Sequence, residues 1–315
     1  MEAATVRPAT EARPDVLLEL VHGVRSELRR RGESVGSAWV EEVAKDLKTG
    51  DRVGWTLGDH AVAYVSKRPT RWYGHLHVEG EGERLERGET LLAQVISVLA
   101  PGVRRLDTGT SGFTEEEEVE FARRFAAAPN TTVIERSRMD RPVPPALPGT
   151  SLPDPPGMER VPVRSIPIEA FAELDWRSFL GTPDENLIAD TPEENREGLA
   201  EVLDGSIGRI VDEASTALVD DSGALIGAIV TAELDPRSAI FLDLLVEPSH
   251  RHRGLGRFLM AWGLRALTAL GYSTVRLWVT EANRPARRLY DQLGFTVGLR
   301  ARILRYSAPQ PHVAR

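Results

Sequence analysis

The sequence contains no cysteine. Disulfides, thiolate metal ligands and a cysteine nucleophile are therefore excluded. Lysine is nearly absent as well, occurring only at Lys45, Lys48 and Lys67, so arginine supplies almost all the positive charge. That bias fits a GC-rich bacterial genome. No apolar run is long enough to span a bilayer. The opening stretch MEAATVRPATEARPD lacks the apolar centre of a signal peptide. Both features predict a cytoplasmic protein with no membrane partner. Net basic charge is missing too: the formal charge is −8, which argues against a nucleic-acid partner.

What is present is a soluble globular composition over 315 residues, enough for one large domain or two of ordinary size. The segment 141-RPVPPALPGTSLPDPPGM-158 is crowded with prolines. Proline fixes φ and removes an amide donor, so this stretch reads as an extended linker. The expected division is a first domain over 1–141, a linker over 142–157, a second domain over 158–308 and a tail over 309–315.

In the second half the pattern predicts a strand at Val161–Ile166 and helices at Ile168–Phe179 and Glu193–Leu203. Three strands follow within 216–248, the first two joined by a tight Asp-Ser-Gly turn. Then comes a helix over Leu255–Leu270, with Leu255, Phe258, Leu259, Trp262, Ala266 and Leu270 near one face. A strand at 274–280, a helix at Pro285–Leu293 and one or two strands over 295–306 complete the half. The first half repeats this order loosely, with helices at Pro14–Arg31, Ala38–Leu47, Glu89–Ala100 and Glu115–Ala128. Its strands fall near Val6, three times within 52–80, and at 103–109 and 131–140. Arg87-Gly88 before one helix matches Arg253-Gly254 before another, which points to a divergent duplication. The fold class expected is α/β (α+β): two tandem domains, each a mixed, mostly antiparallel central sheet flanked by helices.

The chemistry concentrates at 251-RHRGLG-256, which follows a strand and opens a helix. The first N–H groups of a helix have no partner inside it, and the macrodipole adds positive charge there. Glycine clears the approach for a phosphate, and Arg251, Arg253 and Arg257 add charge around the rim. The expected ligand is a pyrophosphate. The Walker pattern is absent, and the dinucleotide pattern fails because position 259 is leucine.

This loop after 242-LDLLVEP-248 resembles the acyl-CoA pyrophosphate loop of the GCN5-related N-acetyltransferases (GNAT). The family's second signature is matched by 278-WVTEANRPARRLYDQLGF-295, with its asparagine, its tyrosine-bearing helix and its Leu-Gly-Phe. The resemblance covers Val161–Tyr306 well and the first half faintly. It implies acetyl transfer from acetyl-CoA to a primary amine by direct attack, without a covalent enzyme intermediate. The backbone of Leu244, Leu245 and Val246 would hold the pantetheine arm, and His252, Arg253, Gly254, Leu255, Gly256 and Arg257 the pyrophosphate. Asn283 would touch the cofactor, and Tyr290 would protonate the departing thiolate. An N–H at Val246 or its neighbour would stabilise the oxyanion.

Two carboxylates remain as candidates for the base, Asp243 and Glu233. Asp243 is a charge in an apolar strand, and the other reading is a structural carboxylate paired with an arginine. Glu233, near a strand end, reads equally as a solvated side chain. Tyr290 has an alternative as a packed core tyrosine. His75/His77 and His250/His252 are His-x-His pairs without a third ligand, so no metal is expected. In the first half, Glu89 and Thr90 would take the places of Leu255 and Gly256 and oppose a pyrophosphate. That half is expected to bind no CoA. The expected partner is a small-molecule or peptide amine, and the chain a monomer or homodimer. A non-catalytic CoA-binding or regulatory module is the alternative function.

Overall fold

The computed structural model describes residues 5–30, 38–68, 71–99, 103–143, 152–185, 187 and 189–309. The chain divides into two compact units, one of residues 1–135 with 301–315 and one of residues 136–300. Residues 144–151 of the proline-rich segment lie outside the described residues.

The first unit contains β1 (Val6–Pro8), α1 (Pro14–Arg30), α2 (Trp39–Thr49), β2 (Val53–Leu57), β3 (Ala61–Lys67) and β4 (Arg71–Val78). There follow α3 (Arg84–Ser97), β5 (Arg105–Ser111), α4 (Glu115–Ala126) and the start of β6 (Thr131–Pro142). Strands β1 to β4 form an antiparallel meander. Strand β5 lies parallel to β4. Helix α1 starts on Pro14, which suits the first helical position, and buries Val16, Leu17, Leu20, Val21 and Val24 along one stripe. That stripe and α2 cover one face of the sheet, while Leu91, Leu92, Val95 and Phe121 of α3 and α4 cover the other. In α4 the four glutamates Glu115–Glu118 sit in the first turn, and Thr114 with Glu117 forms a reciprocal capping box.

The second unit repeats the order with β7 (Met158–Pro162), α5 (Ile168–Phe179), α6 (Pro192–Leu203), β8 (Thr216–Asp220), β9 (Leu225–Asp235) and β10 (Ser238–Val246). Then come α7 (Leu255–Ala269), β11 (Thr274–Thr280), α8 (Arg284–Gln292) and β12 (Thr296–Ser307). Strands β7 to β10 are antiparallel neighbours, and β11 is parallel to β10. Helices α7 and α8 pack on one face through Leu259, Leu264, Leu267 and Tyr290. Helix α5 packs on the other through Phe171, Ala172 and Leu174, joined by Leu199 of α6.

The expected sequence of elements is present, and four details differ. Strand β7 ends at Pro162 and a 3₁₀ turn over Val163–Ser165 follows, so the strand lies earlier than the apolar pattern placed it. The buried stripe of α7 is Leu255, Leu259, Met260, Gly263, Leu264 and Leu267, while Leu270 is exposed. Helix α3 begins at Arg84, five residues before the expected start. Finally, the sixth strands are exchanged. The residues of β6 from Arg136 to Pro142 pair with β11 and belong to the second unit, whereas Leu304–Ser307 of β12 pair with β5 in the first. Local pattern fixes each strand but not its partner, because pairing partners here are more than a hundred residues apart.

Candidate active site

Strands β9 and β10 pair from Ser238 opposite Asp235 to Val246 opposite Gly227, with an irregularity between Phe241 and Asp243. Such a bulge bends the strand and increases its twist. On its other edge β10 pairs with β11 at four positions, ending at Phe241 opposite Leu277. Strand β11 itself continues along β6 to Thr280, so β10 and β11 part beyond Phe241.

Backbone groups of successive strand residues face opposite edges. The Glu247 N–H bonds to Ile226 O at 2.8 Å, on the β9 side. Leu245 therefore faces β9, and Leu244 and Val246 turn their N–H and C=O groups into the gap. The Val246 carbonyl accepts from Arg251 Nε and Ser178 Oγ at 3.4 Å each. The Val246 N–H and the Leu244 groups call for partners, and an extended ligand supplies them as an added strand would.

The loop at the mouth of this gap is built to leave donors bare. A 3₁₀ turn over Pro248–His250 leads to Arg251 in extended conformation. His252 has φ 63° and Gly254 φ 83°. Gly254 caps α7 from the left-handed region, which glycine occupies without a Cβ penalty. It provides no side-chain cap, and the first turn of α7 holds no acidic residue. A Cβ at Gly254 would meet nothing within 4 Å, so the approach to the amides of Leu255, Gly256 and Arg257 is open. A Cβ at Gly256 would touch Leu289 Cδ2 at 3.4 Å, then Leu244 and Val246 at 3.9 Å.

The three arginines differ in use. Arg251 bonds the Ser178 carbonyl through Nη2 and the Val246 carbonyl through Nε, tying the loop to the end of α5. Arg177 adds an ion pair with Glu247 at 3.0 Å. Arg253 is exposed and reaches Ser249 O at 3.2 Å; Arg257 is exposed and reaches Gln292. Among the described residues none of Arg251, Arg253 and Arg257 pairs with a carboxylate, so their charge remains at the mouth.

Tyr290 lies on α8, buried against Phe295 with ring centroids 6.1 Å apart, and Phe295 packs on Phe241 at 6.3 Å. The tyrosine is thus linked through Phe295 to Phe241, the last rung of the β10–β11 ladder. It makes no hydrogen bond to a described residue. Burial, with Asp184 and then Asp243 nearby, pushes its hydroxyl pKa well up against the opposing pull of Arg136, so it stays protonated at neutral pH.

Asp243 lies past the bulge, on the α5 face, and has no arginine partner among the described residues. Burial raises its pKa to about 6. Its neighbour is Asp175 of α5, raised to about 8 by burial and then by the charge of Asp243, against a hydrogen bond from Asn195. At neutral pH the pair therefore carries close to one negative charge.

The other carboxylate is placed differently. Glu233 faces Ala239, before the ladder opens. It pairs with Arg209 at 2.6 Å and accepts a hydrogen bond from Tyr272 at 2.5 Å. The Tyr272 bond, then Arg209, hold its pKa low. Both contacts engage its carboxylate within the second unit. Asn283 is engaged as well: its side chain caps α8 by accepting from Ala286 N at 3.3 Å and donates to Asp184 at 2.6 Å.

Two members of the site escaped the sequence reading. Asp175 interrupts the buried face of α5, between Leu174 and Ser178, and that interruption was a readable signal. Arg136 of β6 carried no such signal, because its neighbour Trp278 lies 5.8 Å away in space but far along the chain.

In the first unit the same positions are closed. Strands β4 and β5 stay paired over all seven positions from Arg71–Arg105 to His77–Ser111. At the end His77 Nδ1 lies 2.8 Å from Ser111 Oγ, His75 Nε2 also 2.8 Å from it, and His77 Nε2 2.9 Å from Glu79. Both histidines are thus committed to this hydrogen-bonded clasp. Among the described residues no group of three His, Asp or Glu side chains is arranged to hold a metal ion.

The structure also corrects the expected correspondence. The counterpart of Gly254 is Glu83, which caps α3 with φ 52° and no side-chain cap bond. Gly88, Glu89 and Thr90 lie inside α3. Gly88 is required there by packing, since a Cβ would come within 2.9 Å of Phe113 and Phe121. The residues that oppose an anion are Glu79, Glu81 and Glu83 in the loop itself.

A four-strand meander, a splayed parallel pair and an uncapped helix start at its mouth define the GNAT class of acetyltransferase folds. The comparisons agree. The acetyltransferase (GNAT) family profile matches residues 168–295. The mycothiol acetyltransferase of Thermobispora bispora is 32% identical over 221 residues, covering 66% of this chain and 67% of that protein. That of Thermomonospora curvata is 38% identical over 125 residues, 39% of this chain and 41% of that relative's length. Among solved structures, a GCN5-related N-acetyltransferase from Sphaerobacter thermophilus has TM-score 0.63 at 18% identity, covering 99% of this chain and 98% of that one. A tandem GNAT protein from the clavulanic acid biosynthesis pathway has TM-score 0.58 at 15% identity, covering 98% and 99%. The chain belongs to the GNAT acetyltransferase family, in a two-unit layout that resembles mycothiol synthase. No described helix is long and apolar enough to cross a membrane.

Proposed function

We propose that the second unit transfers the acetyl group of acetyl-CoA to a primary amine, by direct attack while both substrates are bound. The observation that carries this reading is Tyr290, protonated, without a hydrogen-bond partner among the described residues, and packed through Phe295 onto Phe241, where β10 and β11 separate.

The residues fit CoA. The backbone of Leu244 and Val246 is turned into the gap, and the open amides after Gly254 suit a pyrophosphate. Arg253, Arg257 and the His252–Arg257 backbone would form that seat, with Arg251 bracing the loop. Acetyl-CoA supplies a thioester, an acyl group already activated for transfer. Asp243 takes the proton of the attacking ammonium. A carbon–nitrogen bond forms as the carbon–sulfur bond breaks, Tyr290 gives its proton to the departing thiolate, and the second proton shed by the nitrogen as it becomes an amide restores the tyrosine hydroxyl. The Val246 N–H is oriented to support the oxyanion. The first unit binds no CoA in this account, because its ladder is closed and its loop is acidic.

The test is release of free thiol from acetyl-CoA across a broad panel of amines, with mass spectrometry of the products. The protein has no cysteine, so it adds no thiol background. An acetylated amine is expected. Tight CoA binding with no turnover on any amine would instead favour a non-catalytic CoA-binding module.

A further inference from the structure

We infer that the acceptor is an amine that also carries an anionic group, and that Arg136 holds that group. This rests on the acetyl-transfer reading and adds the class of acceptor to it.

Arg136 lies on β6 opposite Thr280 and two residues from Arg138, which pairs with Trp278 across the ladder. Its guanidinium lies 5.8 Å from the Trp278 ring centroid. Its Nε is buried and has no hydrogen-bond partner. Among the described residues it has no ion pair. Other arginines around it are matched: Arg138 pairs with Asp140 at 3.0 Å, and Arg287 with Glu281 at 2.8 Å. The nearby carboxylate Asp184 accepts from Asn283. Arg136 is half-buried and has only the Trp278 face and the more distant charge of Asp184 for company, with its buried Nε unbonded; an anion that arrives with a ligand would complete it. Arginine's planar fork favours a carboxylate over a point-like acceptor.

The position of this cation matters. Trp278 shares the α5 side of the sheet with Leu245. Asp243 lies two residues from Leu245 on the same strand edge pattern, next to Asp175. The same face thus presents a carboxylate pair for an ammonium and an unsatisfied cation for an anion. A polyamine or a purely cationic sugar would meet Arg136 with the wrong sign.

The experiment uses the full chain with saturating acetyl-CoA and matched acceptor pairs. Each pair is an amino acid with its decarboxylated amine, or a peptide with its C-terminally amidated form. The carboxylated member is expected to show a KM lower by about tenfold or more, as a charge-assisted pair provides. Arg136→Ala should remove that preference by raising KM for the carboxylated member alone, and Arg136→Lys should restore part of it. The thermal midpoint of Arg136→Ala should stay close to the parent's, since the guanidinium makes no ion pair among the described residues. Equal use of both members would overturn the inference while leaving acetyl transfer intact. A loss of kcat on both members alike would overturn it too, because Arg136 would then act on the reacting atoms. Thiol release from no amine at all would overturn the acetyl-transfer reading itself, and this inference with it.

Discussion

Phe241 faces Leu277 at the last rung of the parallel ladder between β10 and β11, and beyond it the two strands separate. In the first unit the matching ladder runs on to His77 and Ser111, whose side chains join at 2.8 Å. One topology therefore yields an open gap in one unit and a closed seam in the other. The proposed CoA site in the second unit rests on the backbone turned into that gap and on the open amides after Gly254.

Calorimetric titration with CoA should accordingly give one site per chain. Gly256→Glu should abolish it, because the new side chain starts among Leu289, Leu244 and Val246 beside the loop. Two sites per chain, or normal affinity in the variant, would remove the basis of this assignment.

The Asp175–Asp243 pair sets a pH dependence. Both groups have folded-state values, about 8 and about 6, above those of free aspartate. Folding therefore favours their protonated forms. The resulting stabilisation is full below about pH 4 and is lost as pH rises through 6 and then 8. Asp175→Asn should be more heat-stable than the parent above pH 8, with the difference fading below pH 5 in thermal melts. The rate should rise through a limb near pH 6 in the parent and in Asp175→Asn. Asp243→Asn should lack that limb, and a limb that persists there would assign the base to another group.

Gly88 tests the first unit. Alanine there drives a Cβ to within 2.9 Å of the stacked Phe113 and Phe121 rings. Overpacking of this kind costs about 1–3 kcal/mol. The Gly88→Ala variant should show a lower denaturant midpoint and an unchanged CoA affinity. An unaltered midpoint would show that the contact relaxes freely.

Much of this molecule was legible in its sequence, for reasons that are local. Apolar periodicity placed α5 at Ile168–Phe179, and the glycines at 254 and 256 marked the start of α7. Asp243 stood out as a charge in an apolar strand. What was hidden depended on pairing across the chain. The exchange of β6 and β12 has no local signature, since it is set by pairing between segments more than a hundred residues apart. The arginine–glycine match at Arg87 misled by one helical turn and more, because Gly88 answers to aromatic packing rather than to a loop. Arg136 became visible only once β6 was placed against β11, and the contacts of Glu233 with Arg209 and Tyr272 likewise emerge only in the fold.

The most direct test of the account is Tyr290→Phe, measured as the single-turnover rate of acetyl transfer alongside CoA affinity. Loss of the acid should slow the chemical step by about 10²–10⁴-fold and leave CoA affinity unchanged, since the ring still packs on Phe295. An unchanged rate would show that Tyr290 is a core tyrosine and that the thiolate is protonated from elsewhere.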